Sequence, residues 1–262
     1  MASLSLPAGF VEQRAGHTVW WVKEEWGERL LTLTFPHDQA PEPQSAIRNP
    51  QSTIATQAGR GTIHRITLAS GESIIVRPYR RGGFIRHFIY DLYWDRPFRP
   101  FAELSCMEQA RQRGVPTVEV LGAQVERTVG PFYRGFLITR QAIGFHNLWD
   151  WLHVESTADL RHTVLSIVAQ AIATMHQAGI AHADLNPTNI LISLEHDPPQ
   201  AQLLDFDRAR IFPRPVPASS REANLSRFQR FFRKYDTLAE WLPSTDFAYF
   251  RQRYEITFEL RR

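Results

Sequence analysis

Three oxygen-bearing side chains in the C-terminal half, Asp184, Asn189 and Asp205, have the types and spacing that chemistry needs. Asp184 and Asn189 are five residues apart with Pro187 between them, and Asp205 follows two short apolar runs. Two carboxylates and an amide oxygen are hard ligands. Such a set suits Mg²⁺ held together with substrate phosphates.

These side chains can meet only if the chain folds back. NILIS and AQLLDF flank an EHDPPQ turn, which predicts a β-hairpin that returns the chain to its origin and brings Asp205 near Asp184 and Asn189. Upstream, Leu160, Val164, Ile167, Val168, Ala171, Ile172 and Met175 recur at helical spacing. They predict a buried helix from about Leu160 to Gln177, begun near Ser156 or Thr157 and stopped at Gly179. Thr163–Ala183 carries no Asp, Glu, Lys or Arg, but His176, His182, two glutamines and Gly179 argue against a span, so any membrane contact is expected to be peripheral. His176 reads as a core or capping histidine and His182 as an anchor for the loop.

In the N-terminal half, Thr62–Leu68 and Ser73–Tyr79 flank an ASGE turn and predict a hairpin opened by Gly59 and Gly61. Trp20–Val22 and Leu30–Phe35 read as short strands, as do segments of VPTVEVLGAQVE and of Phe132–Ile143; FHNLWDWLH reads as a short helix. Pro100–Arg113, closed by Gly114 and Pro116, predicts a helix. At 100° per residue, Leu104, Cys106, Met107 and Ala110 share a face that includes Glu103 and leaves Glu108 outside it. Glu103 therefore points inward and requires a cationic partner.

The chain has 262 residues, 43% hydrophobic and 22% charged, enough to build a core in one large domain or in two lobes sharing a cleft. That excludes disorder as the main state, and the composition is wrong for a coiled coil, a collagen or a disulfide scaffold. Cys106 is the single cysteine, and the first residues lack a basic then apolar leader, so a reducing compartment is expected. The net charge is +3, yet the only lysines are Lys23 and Lys234. Arginine grips phosphate and carboxylate with a planar fork, so the composition leans toward anionic partners, unless it only reflects codon composition.

His182-Ala183-Asp184 with Asn189, then Asp205-Phe206-Asp207, resembles the catalytic loop and metal motif of the protein-kinase fold. The resemblance implies an α+β, bilobal protein-kinase-like fold, with a β-rich small lobe and a reduced, mostly α-helical large lobe. Residues 58–141 would form the small lobe and 142–262 the large one, with 1–57 an extension packing on or joining the small lobe. Gly59 and Gly61 would be the remains of a phosphate-covering glycine loop. Arg77 stands at the position of the nucleotide lysine, where it would contact phosphates and pair with Glu103. Only 55 residues follow Asp207, with no A-P-E sequence, so a small molecule or glycolipid is a better acceptor than a peptide.

Within that fold the chain is most similar to the lipopolysaccharide core kinases, and in particular to the 3-deoxy-D-manno-octulosonic acid (Kdo) kinases. The features that carry this are GRGT at Gly59–Thr62, R-P-Y-R-R-G-G at Arg77–Gly83, F-A-E-L at Phe101–Leu104 and D-L-N-x-x-N-I-L at Asp184–Leu191. The likeness implies ATP and Mg²⁺ as cofactors, with Asn189 and Asp205 holding the metal and Asp184 as base. It implies the 4-hydroxyl of Kdo on a lipid A precursor as acceptor, peripheral attachment to the anionic cytoplasmic face of the inner membrane, and no nucleic-acid partner. A kinase for heptose or a small metabolite, and a non-catalytic nucleotide-binding module, remain alternatives. Arg80, Arg81 and Arg86 would hold anionic groups of the acceptor or form a solvated loop. Leu225, Phe228, Phe231, Phe232 and Tyr235 alternate with Arg227, Arg230 and Arg233 on one basic amphipathic helix, which would pack on the large lobe or lie on a membrane.

Overall fold

The computed structural model describes residues 4–33, 55–58, 61–79, 92–94, 97–128, 130–154, 157–213 and 215–260. The chain divides into two compact units, one of 1–105 with 119–141, the other of 106–118 with 142–262. The segment 106–118, which the sequence reading assigned to the small lobe, belongs to the second unit.

The first unit is built on a seven-stranded antiparallel sheet. Its strands are β1 (Phe10–Ala15), β2 (Thr18–Lys23), β3 (Ala55–Ala58), β4 (Gly61–Thr67), β5 (Ser73–Pro78), β6 (Val120–Arg127) and β7 (Tyr133–Arg140), in the order β1-β2-β6-β7-β5-β4-β3. The first hairpin thus extends the sheet at one edge. Alternation along the strands sends Trp20, Val22, Ile74, Val76, Leu121, Phe136 and Ile138 to one face, where Trp26 and Leu30 of the following helical segment complete a buried cluster. Leu30–Phe35 does not begin as a strand: α1 (Gly27–Leu31) covers its start, and 34 and 35 lie outside the described residues. A short apolar run has no periodicity to separate helix from strand, and here Leu30 is buried as a helical residue.

On the other face, Trp21 stacks on Phe101 at 4.5 Å between ring centroids, in the first turn of α2 (Arg99–Gln112). Gly135 permits that approach, because a Cβ there would lie 2.3 Å from Pro100 Cγ. Glu108, expected outside the apolar face, is 2% exposed and paired with Arg111 at 2.9 Å. The helix is buried around most of its circumference, so the apolar wheel does not discriminate there.

In the second unit, α4 (Ala158–Gln177) is capped by the Thr157 side chain, which accepts from the Leu160 N–H, and Gly179 turns the chain at φ +81°. Leu160, read as part of its buried stripe, lies in the first turn and is 39% exposed. From Val164 onward the stripe is buried except at Ile167, which is half-buried. α6 (Ser244–Leu260) runs parallel to α4, with Arg161 on Asp246, Ser166 on Tyr249 and His176 on Tyr254. The remaining elements are β8 (His146–Asn147), α3 (Leu148–Leu152), β9 (Ile180–Ala181), β10 (Ile190–Ser193), β11 (Gln200–Leu203), β12 (Arg210–Ile211) and α5 (Ala218–Tyr235). No helix among the described residues is long and apolar enough to cross a membrane.

Candidate active site

The candidate residues fall into two groups, one in each unit. In the first unit, β5 directs Ile74 and Val76 into the core cluster, so Arg77 must face the opposite side of the sheet, where α2 lies. There its Nη2 donates to both carboxylate oxygens of Glu103, at 2.5 and 2.6 Å. Glu103 has no exposed side-chain surface, whereas Arg77 keeps 30%, so the guanidinium is braced from below and still reaches solvent. The Tyr79 hydroxyl donates to the same carboxylate. Sequence reasoning missed Tyr79, although its place two residues beyond Arg77 put it on the same face. Gly61 pairs with Ala58 at the start of β4, and Gly59 lies outside the described residues, as do Arg80, Arg81, Gly82, Gly83 and Arg86.

In the second unit, two strand pairings bracket the catalytic segment. β10 and β11 form the expected hairpin, with Ile190 opposite Leu203, and β9 pairs with β12. The loop after β9 carries Asp184, and the stretch between β11 and β12 carries Asp205, so these closures bring the two ends of the segment together. Leu204 N–H donates to Asn189 O at 2.9 Å, which links the Asp205 neighbourhood to the loop. Asp205 itself adopts φ +60°, a left-handed conformation that Asp tolerates better than most residues.

The Asp184 backbone is held on both sides. Its N–H donates to His182 Nδ1 at 3.0 Å, and its carbonyl accepts from Asn186 Nδ2 at 3.0 Å and Asn189 Nδ2 at 2.9 Å. With Nδ1 accepting, His182 carries its proton on Nε2, which donates to Leu204 O at 2.8 Å. Burial pushes the His182 pKa down; the Leu204 carbonyl and the Asp205 and Asp184 carboxylates pull the other way without overcoming it. The ring is thus a neutral strut between the Asp184 loop and the Asp205 stretch. The Asp184 carboxylate, by contrast, is 66% exposed.

The donor set fits a magnesium ion. Asn189 spends its amide nitrogen on Asp184 O, so its Oδ1 is the atom that would meet such an ion, with the Asp205 carboxylate as the second oxygen donor. Magnesium takes few protein oxygens and relies on phosphate and water, so two such side chains would suffice.

Sequence reasoning also missed two residues of α5. Asn224 Oδ1 accepts from His182 N–H at 2.9 Å, while its Nδ2 donates to His182 O at 2.8 Å. One turn later, Arg227 Nη1 lies 3.7 Å from Asp184 Oδ1. The amphipathic pattern identified the helix but held no signal for which residues meet the loop. A cavity of about 310 Å³, lined by Pro116, Gln170, Thr174 and Gln202 among others, contains none of these residues.

Comparison with known proteins supports the same direction. The family model described as "Lipopolysaccharide kinase (Kdo/WaaP) family" matches residues 46–254. Among curated proteins, the chain is 28% identical over 211 residues to 3-deoxy-D-manno-octulosonic acid kinase of Vibrio vulnificus (strain YJ016), covering 77% of this chain and 85% of that one. It is 32% identical over 214 residues to the protein of that name from Stenotrophomonas maltophilia (strain K279a), covering 78% and 81%. Among solved structures, "WaaP in complex with acyl carrier protein" aligns with a TM-score of 0.52 at 18% identity, covering 77% of this chain and 78% of that one. The fold is therefore kinase-like α+β.

Proposed function

Because the chain belongs to the lipopolysaccharide kinase (Kdo/WaaP) family, we propose that it is an ATP-dependent phosphotransferase acting on the 4-hydroxyl of Kdo attached to a lipid A precursor. The observation that carries this reading is the state of Asp184. Three hydrogen bonds fix its backbone while its carboxylate projects into solvent. A base held this way meets its substrate without reorganising, which is where much of the advantage of enzymatic positioning lies.

Each residue then has a task. Asp184 accepts the proton of the acceptor hydroxyl as that oxygen attacks the γ-phosphorus of ATP. Arg77, braced by Glu103 and Tyr79, orients the nucleotide phosphates. Asn189 and Asp205 hold Mg²⁺, which when bound neutralises charge on the phosphate oxygens. By the family likeness, Gly59 and Gly61, the latter at the start of β4, would cover the nucleotide phosphates. The setting we propose is the cytoplasmic face of the inner membrane, with the protein attached peripherally through its anionic lipids. The exposed Arg230, Arg233 and Lys234 of α5 support that placement.

The test is direct. Incubating the protein with ATP, Mg²⁺ and a Kdo-bearing lipid A precursor should add the mass of one phosphoryl group to the lipid, and Asp184→Ala should abolish that gain while circular dichroism stays unchanged. Retained transfer by the variant removes Asp184 from the role of base, and a heptose-bearing acceptor that is used in preference reassigns the substrate.

A further inference from the structure

The loop from His182 to Asn189 contains neither lysine nor arginine. Asn186, two residues past the base, is 7% exposed and committed to the loop: its Oδ1 accepts from Thr188 N–H at 2.9 Å and from Thr188 Oγ1 at 2.5 Å, and its Nδ2 donates to Asp184 O. It is neutral and spent. No cation of the loop itself can meet the charge that a transferring phosphoryl group brings to Asp184.

Arg227 stands in that place. It comes from α5, and its guanidinium is the only ion-pair partner of Asp184 among the described residues. At 3.7 Å the pair is too long to be a hydrogen bond, and none of its N–H groups makes one among the described residues, so its donors remain available. Stability does not explain the arrangement, since the two side chains are 47% and 66% exposed and ion pairs so exposed to water add little to folding. Its position is nonetheless fixed. Asn224, one turn earlier, clamps the His182 backbone in both directions, and the next residue, Phe228, is fully buried.

We infer that Arg227 is a catalytic residue, supplying from α5 the positive charge that stabilises the phosphoryl group during transfer. This rests on the kinase reading above. In the step, the bond between the γ-phosphorus and the bridging oxygen of ADP breaks, a bond to the acceptor oxygen forms, and the acceptor proton passes to Asp184. Arg227 donates to the equatorial phosphoryl oxygens throughout and exchanges no proton.

Arg227→Ala should lower kcat about 100-fold, the effect of losing one charge-stabilising donor, while KM for ATP stays within about threefold. Guanidinium chloride at low, non-denaturing concentration should restore a measurable part of the lost rate, and Arg227→Lys should fall between wild type and Arg227→Ala. A kcat for Arg227→Ala within about threefold of wild type overturns the assignment, and so does a loss that added guanidinium leaves untouched. If the unaltered protein transfers no phosphate to either the Kdo-bearing or the heptose-bearing acceptor, the kinase reading fails and this inference with it. Turnover by wild type with an unaffected Arg227→Ala removes only the inference.

Discussion

Glu103 is a buried carboxylate whose charge is met by Arg77 and by the Tyr79 hydroxyl, and this makes the pair a structural commitment beside the role proposed for it. Removing the cation alone strands a charge in the interior. The usual cost of breaking a buried pair is about 3–5 kcal/mol, and partial exposure of Arg77 puts the value for Arg77→Met near about 3 kcal/mol. Replacing both partners, Arg77→Met with Glu103→Gln, removes the stranded charge and should recover most of that loss. Urea denaturation of the wild type, both single variants and the double variant measures the coupling. Additive losses would mean that the carboxylate is stabilised by Tyr79 and the surrounding backbone instead. The pairing was legible beforehand because two signals converged on it: the kinase resemblance put Arg77 at the position of the nucleotide lysine, and the helical wheel turned Glu103 inward. Tyr79 belonged to neither signal; only the strand that the structure shows puts it on the face of Arg77. Glu108 was misread because its burial comes with its own cation, Arg111, which a wheel of apolar residues does not register.

Between elements, the decisive joint is the chain of hydrogen bonds linking α4, α5, α6 and the catalytic loop. Tyr254 donates to His176 Nδ1 at 2.8 Å, His176 Nε2 donates to Asn224 Oδ1 at 3.1 Å, and Asn224 clamps His182. This joint was not legible in the sequence, because its bonded members are 42 to 78 residues apart and no local pattern marks a buried asparagine as a clamp. The catalytic hairpin was legible, since two β-rich runs around a proline-containing turn report a local contact. Burial is the main cause that lowers the His176 pKa to about 4 from its usual 6.5, so the ring stays neutral in the folded protein. As pH falls below 6.5 the unfolded chain binds the proton first. Stability from this group is complete above that pH and is lost progressively toward pH 4, so stability rises with pH across the window. At about 1.4 kcal/mol per unit, about 2 kcal/mol should disappear between pH 6.5 and pH 5. The urea midpoint of wild type should drop accordingly, and His176→Gln should flatten the dependence. A variant whose midpoint falls in parallel with wild type would place the acid sensitivity elsewhere.

For the molecule as a whole, a net charge of +3 over 262 residues is too small to drive adsorption by itself, so the proposed membrane attachment requires charge gathered in one place. α5 is the surface we propose for it. Asn224, Leu225, Phe228 and Phe232 bury its inner face in the second unit, so the helix is a structural member and not a free amphipathic arm. Its outer surface carries Arg230, Arg233 and Lys234, with Tyr235 46% exposed and Leu238, just beyond its end, 77% exposed. Cations beside exposed aromatic and aliphatic groups suit the headgroup region of an anionic bilayer. Each cation contributes about 1 kcal/mol at such a surface, so neutralising all three removes about 3 kcal/mol, roughly a 150-fold fall in partitioning. The combined variant Arg230→Gln, Arg233→Gln, Lys234→Gln should therefore cosediment poorly with vesicles containing phosphatidylserine, whereas wild type should bind them at low salt and be released as salt rises. Neither protein should bind purely zwitterionic vesicles. Equal cosedimentation of the two with anionic vesicles would exclude α5 as the attachment surface and move the search to the basic run at Arg80, Arg81 and Arg86.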